Sequence, residues 1–121
     1  MKMNKSQLAA LSKLGAMIAV SDGNGDENEK LFLVKELVSF QLSSDEVLSV
    51  VEMGESMETS EALAIVEAMD NVQKMEACAF LGAMIAQDGK IDEKEVALWS
   101  LISQLCDLPT ISVKEALDYM A

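Results

Sequence analysis

The six letters "LGAMIA" occur twice, at Leu14–Ala19 and Leu81–Ala86, and each copy runs into an acidic corner. The corners read "DGNGDENE" at Asp22–Glu29 and "DGKIDEKE" at Asp88–Glu95. A duplication of this kind restricts the chain to folds that offer two equivalent places for one unit. Each "LGAMIA" copy is apolar nearly all the way round, which marks a helix buried on most sides. Gly and Asp then interrupt it, and an Asp followed three residues later by Glu opens a new helix. The unit is helix, acidic corner, helix.

The register of the repeat is not uniform. Leu14 corresponds to Leu81 (81 − 14 = 67) and Asp22 to Asp88 (88 − 22 = 66), so the first copy carries one extra residue near Val20 and Ser21. Downstream, Ser43 with Glu46 and Ser112 with Glu115 have capping-box spacing and correspond at 112 − 43 = 69. Apolar periodicity predicts a first helix from near Ser6 and a second carrying Leu31, Val34, Leu37 and Val38. A third opens at Ser43 and ends at Gly54. A fourth, at about 60–70, bridges the halves. A fifth is capped by Asp70 or Asn71, a sixth runs from Asp92 to about Cys106, and a seventh follows Pro109.

With 50% hydrophobic residues, 4% aromatics and one proline, composition favours helices over sheets. The expected fold is all-α, one domain over 1–121. It is a compact bundle of about seven helices in two pseudo-twofold-related halves, about 5–54 and 70–121. Gly15 with Ala19, and Gly82 with Ala86, form strips of small residues that permit a close helix crossing. The first and fifth helices are therefore expected to form the central pair.

Charge narrows the partners. The net charge is −12 and every basic residue is a lysine. That surface repels phosphate backbones and anionic headgroups, which require clustered cations, so no nucleic-acid binding and no direct membrane insertion are expected. Cations or basic protein surfaces are favoured instead, although the same charge also keeps a Leu- and Met-rich bundle in solution. The absence of histidine excludes Ser-His and Cys-His catalysis and histidine-containing zinc sites. Cys78 and Cys106 lie in apolar helical patterns and read as buried free thiols. The N-terminal apolar stretch is broken by Lys13, and "LGAMIA" recurs in mid-chain where no export signal belongs. A cytoplasmic protein is expected.

The acidic corners resemble the second half of a twelve-residue calcium loop. Asp88 fits position 5, Gly89 position 6, Asp92 position 9 and Glu95 position 12; Asp22, Gly23, Asp26 and Glu29 fit the same slots. Positions 1 and 3 fall on Met84 and Ala86 in one copy and on Ile18 and Val20 in the other, which cannot be ligands. Neither corner is a complete loop. Helix capping explains Gly23, Gly89, Asp26, Asp92, Glu29 and Glu95. It leaves Asp22 and Asp88 over, whereas cation binding accounts for all six carboxylates. Two carboxylates ~5 Å apart repel by roughly 3 kcal/mol at an effective dielectric of ~20, so convergent corners would call for a cation or raised pKa values. Both readings stand at this level: a weak site for Ca²⁺ or another divalent cation, or caps alone.

The segment "LGAMIAQDGKIDEKE", with its duplicate, resembles the tellurite-resistance TerB-like family across most of the chain. The resemblance implies a compact helical fold with related halves, no established catalytic activity, and an acidic surface for divalent cations. It also implies a setting in stress response or attachment to co-chaperone and membrane modules. Its metal-site residues would be Asp22, Asp26, Glu29, Asp88, Asp92 and Glu95, with Gly23 and Gly89 at the turns. The first copy departs from the pattern, since Gly25 stands where the second has Ile91.

Met53, Met57, Met69, Met75 and Met84 suit either an adaptable groove or core filling, the latter being favoured. Trp99 reads as core in preference to an interface anchor. Paired carboxylates without nucleophile, phosphate loop or cofactor motif do not make an enzyme. The function expected is a non-enzymatic cation module of the TerB-like kind. The alternative is a protein-interaction scaffold whose corners only cap helices.

Overall fold

The computed structural model describes residues 3–20, 35, 37, 42–86 and 91–120. Among these residues there are six helices and no strand. They are α1 (Lys5–Ala19), α2 (Ser44–Ser56), α3 (Thr59–Glu67), α4 (Asn71–Ile85), α5 (Glu93–Leu105) and α6 (Val113–Met120). About seven were expected. The difference is the second expected helix, of which only Lys35 and Leu37 are described; both are helical, and Leu37 is fully buried.

Most of the helices begin where a short polar side chain satisfies an orphan N–H. The Ser43–Glu46 box forms, with Glu46 N–H donating to Ser43 Oγ and Ser43 N–H to Glu46 Oε1. Ser112 and Glu115 make the same reciprocal pair before α6. Asp70, rather than Asn71, caps α4, and Gln73 reaches back to it. Asn4 and Gln7 form an equivalent box before α1 that the sequence reading did not single out. Because Asp70 belongs to the start of α4, the bridging helix is shorter than the expected 60–70 and ends at Glu67.

α1 and α4 pack against each other, and each of the other described helices touches at least one of them. α2 lies on α1, α6 lies on α4, and α3 and α5 contact both. The core is mostly aliphatic with one central aromatic, built on Leu11, Leu14, Ile18, Phe80, Leu81, Met84 and Ile85, all fully buried. Met57 and Met69 are buried with Met84, while Met53 and Met75 are partly covered, so these methionines serve as core filler.

Two glycines do work other than that expected of them. Gly54 does not terminate its helix, which continues to Ser56. It is pressed against α1, where a Cβ would stand 2.8 Å from the Ala9 carbonyl oxygen. Gly82 makes its closest approach to α6 and α5: a Cβ there would lie 2.6 Å from Ala116 Cβ and 2.8 Å from Trp99 Cζ2. The small residue thus admits the flanking helices onto the hub.

Candidate functional site

Of the residues expected to form the acidic corners, Asp22, Gly23, Asp26, Glu29, Asp88 and Gly89 lie outside the described residues. Asp92 and Glu95 are described, at the start of α5. Asp92 is the N-cap, its Oδ1 accepting from Lys94 N–H at 2.8 Å. The full Asp92–Glu95 box is replaced by this single bond. Glu95 turns into the protein instead and is only 5% exposed. A buried carboxylate loses hydration that must be replaced by protein groups or a bound cation, and Glu95 is not without a partner in the protein. Its burial is not legible in the spacing, which fits a solvent-facing capping residue equally well. Among the described residues no three acidic or thiol side chains converge into a group that could hold a metal ion.

The remainder of α5 is anchored to α4 through Trp99. Its indole Nε1 donates to the Cys78 carbonyl at 3.2 Å while the ring covers Gly82. Trp99 is therefore core, as its place in the apolar pattern suggested. Cys78 and Cys106 are free and buried. The Cys78 thiol donates to the Pro109 carbonyl and the Cys106 thiol to that of Leu63. Burial pushes the Cys78 thiol up, against opposing hydrogen bonds from Ser103 and Trp99. Burial, reinforced by Glu67, pushes Cys106 up to about 11. Neither is an activated nucleophile at neutral pH.

α5 ends in a left-handed turn at Asp107, whose φ is 55°. Leu108 N–H bonds back to the Ser103 carbonyl at 2.8 Å and Asp107 N–H to that of Gln104 at 3.5 Å, a Schellman arrangement. The Asp107 carboxylate faces Lys74 at 3.8 Å. Beside this turn lies an open groove of about 440 Å³, walled by Val96, Trp99, Ser100 and Ser103 on one side and residues 107–111 on the other. The groove has the volume of a small-ligand cleft, but no group of titratable residues gathers in it. No helix among the described residues is long and apolar enough to cross a membrane.

No protein-family model matches the chain, and no curated protein matches it either. A similar solved structure is the crystal structure of a protein of unknown function from Porphyromonas gingivalis W83. It shares 35% identity over 99% of this chain and 97% of that one, with a TM-score of 0.88.

Proposed function

The chain belongs to the same family as that Porphyromonas gingivalis protein, and we propose that it is a non-enzymatic, cytoplasmic module that binds a divalent cation weakly at its acidic corners. The observation that supports this reading is the burial of Glu95. The carboxylate at the last ligand slot of the second corner is withdrawn from water, and the cap it would otherwise complete is formed by Asp92 alone. The remaining oxygen ligands are Asp88 and Asp92 in that corner, and Asp22, Asp26 and Glu29 in the first. Incomplete ligand sets of this kind belong at the loose end of the calcium range, ~10⁻⁴–10⁻³ M.

The same reading takes the chain as two pseudo-twofold-related halves with one corner each. Its support is the recurrence of the Asn4–Gln7 and Asp70–Gln73 caps at one spacing (70 − 4 = 66; 73 − 7 = 66), close to that of the "LGAMIA" copies. Stress-related and tellurite-resistance roles of the TerB-like kind are the biological setting this implies.

Thermal melts in about 10 mM Ca²⁺ and in chelator test the cation reading. A site at one hundredth of the free-ion concentration adds about 2.7 kcal/mol. The shift should disappear in Glu95→Gln and Asp88→Asn, and Asp22→Asn tells whether the first corner shares the ion. Identical melts with and without calcium, magnesium and manganese would sink this reading. A second reading, an interaction scaffold without ions, is favoured by the exposed leucines of α5.

A further inference from the structure

We propose that the outer face of α5 is covered by a second copy of this chain, in an antiparallel twofold pairing seamed by Leu98, Leu101 and Leu105. These leucines are three and four residues apart, the spacing that keeps a seam on one side of a helix. Leu101 is 51% and Leu105 55% exposed, while Leu98 is partly buried against the core. Between Glu95 and Asp107 the helix carries no carboxylate and no ammonium group. The uncharged run of α4 at 77–85 is buried, so the core accounts for it. On α5, burial does not account for Leu101 and Leu105.

Charge selects the partner. Each chain carries −12, so two copies repel wherever their carboxylates meet, and this face lets them touch without bringing carboxylates together. Along residues 96–106 a basic peptide would find no acidic group to pair with. Helix polarity then selects the direction. Lys94, four residues before Leu98, puts a cation in the first turn, where the macrodipole disfavours it, and the last turn has no basic residue. With the axis beside Leu101, between residues 101 and 102, antiparallel pairing sets Leu98 against Leu105 of the other copy. Lys94 then reaches the other copy's helix end, near Asp107. The contact is isologous and closes at two copies.

The pairing rests on α5 alone and stands whether or not the corners bind an ion. Sedimentation or light scattering of the full chain from about 1 μM to about 1 mM spans weak association and should show a monomer–dimer equilibrium. Leu101→Glu sets like charges side by side at the axis and should weaken it at least about tenfold. Lys94→Glu should weaken it as well. Leu48→Glu, at a 59% exposed position on α2, should leave it unchanged. Circular dichroism checks that each variant is folded, and Leu101→Ser replaces Leu101→Glu if that chain is not. A monomer at every concentration overturns the proposal, and so does a dimer that Leu101→Glu and Leu48→Glu weaken equally.

Discussion

The side-chain amides of Gln7 and Gln73 face each other at the starts of α1 and α4, each Nε2 donating to the other's Oε1 at 3.4 and 3.2 Å. Each Oε1 also accepts its own N-cap N–H, from Asn4 at 2.9 Å and from Asp70 at 3.2 Å. Two local caps are thereby joined into one polar junction between the hub helices, and Gln73 is buried there. An amide suits the position because it donates to one neighbour while its oxygen accepts from two.

Breaking this junction should cost more than losing an ordinary surface cap. Gln73→Ala leaves the Asp70 N–H without its side-chain acceptor and removes a partner from Gln7, so a loss of about 1–3 kcal/mol is expected from denaturant unfolding. A double-mutant cycle with Gln7→Ala should give a coupling of at least about 0.5 kcal/mol. Strictly additive effects would show that the amide pair contributes nothing beyond the two caps.

Gly82→Ala should destabilise, although alanine is the better helix former by about 1 kcal/mol. The added methyl collides with Ala116 Cβ and the Trp99 ring, and overpacking of this kind costs about 1–3 kcal/mol. Ala116→Gly in the same chain should recover part of the loss. A stabilised Gly82→Ala protein would mean that α6 moves away without cost.

At Asp107 the opposite outcome is expected. Its left-handed backbone suits glycine, so Asp107→Gly should raise stability by up to about 1 kcal/mol. The ion pair with Lys74 that it removes joins an almost fully exposed carboxylate at 3.8 Å and offsets little of this. A lower melting temperature would give the ion pair more weight than the backbone.

The thiols make a pH prediction. Cys106 is raised from 9.0 to about 11 in the folded protein, chiefly by burial. In that interval the unfolded chain has lost a proton that the folded chain retains. Its contribution to stability is therefore fully present below about pH 9 and is lost as pH rises toward about 11. Cys106→Ala should flatten the alkaline limb of stability against pH. In the folded protein at pH 8, thiol-reactive dye should label both cysteines much more slowly than after denaturation.

Calcium response in the melts supplies the remaining contrast. An increase in stability that vanishes in Glu95→Gln while the wild-type circular dichroism is retained would tie the ion to the buried carboxylate rather than to general screening of the acidic surface.

What the sequence determined by itself is the set of interactions that close within three or four residues. The Ser43–Glu46 and Ser112–Glu115 boxes, a cap at Asp70 or Asn71 and the bounds of α5 could be read because donor and acceptor lie on one turn. The all-α class followed from composition and period, and the burial of α4 from an apolar pattern with no polar side. The Asn4–Gln7 box was equally local and open to the same reading; only its junction with Gln73, 66 residues away, needed the fold.

Tertiary structure decided what local spacing left degenerate. Gly54 at the end of an apolar pattern reads as a stop signal, and only the position of Ala9 on α1 turns it into a contact glycine. Asp92 and Glu95 have capping-box spacing, but in the folded chain Glu95 is buried and Asp92 caps through Lys94 N–H instead. A carboxylate one turn into a helix can face water or core. Its neighbours from distant segments, not its own spacing, decide which, and on that choice the reading of the second "DGKIDEKE" corner depends.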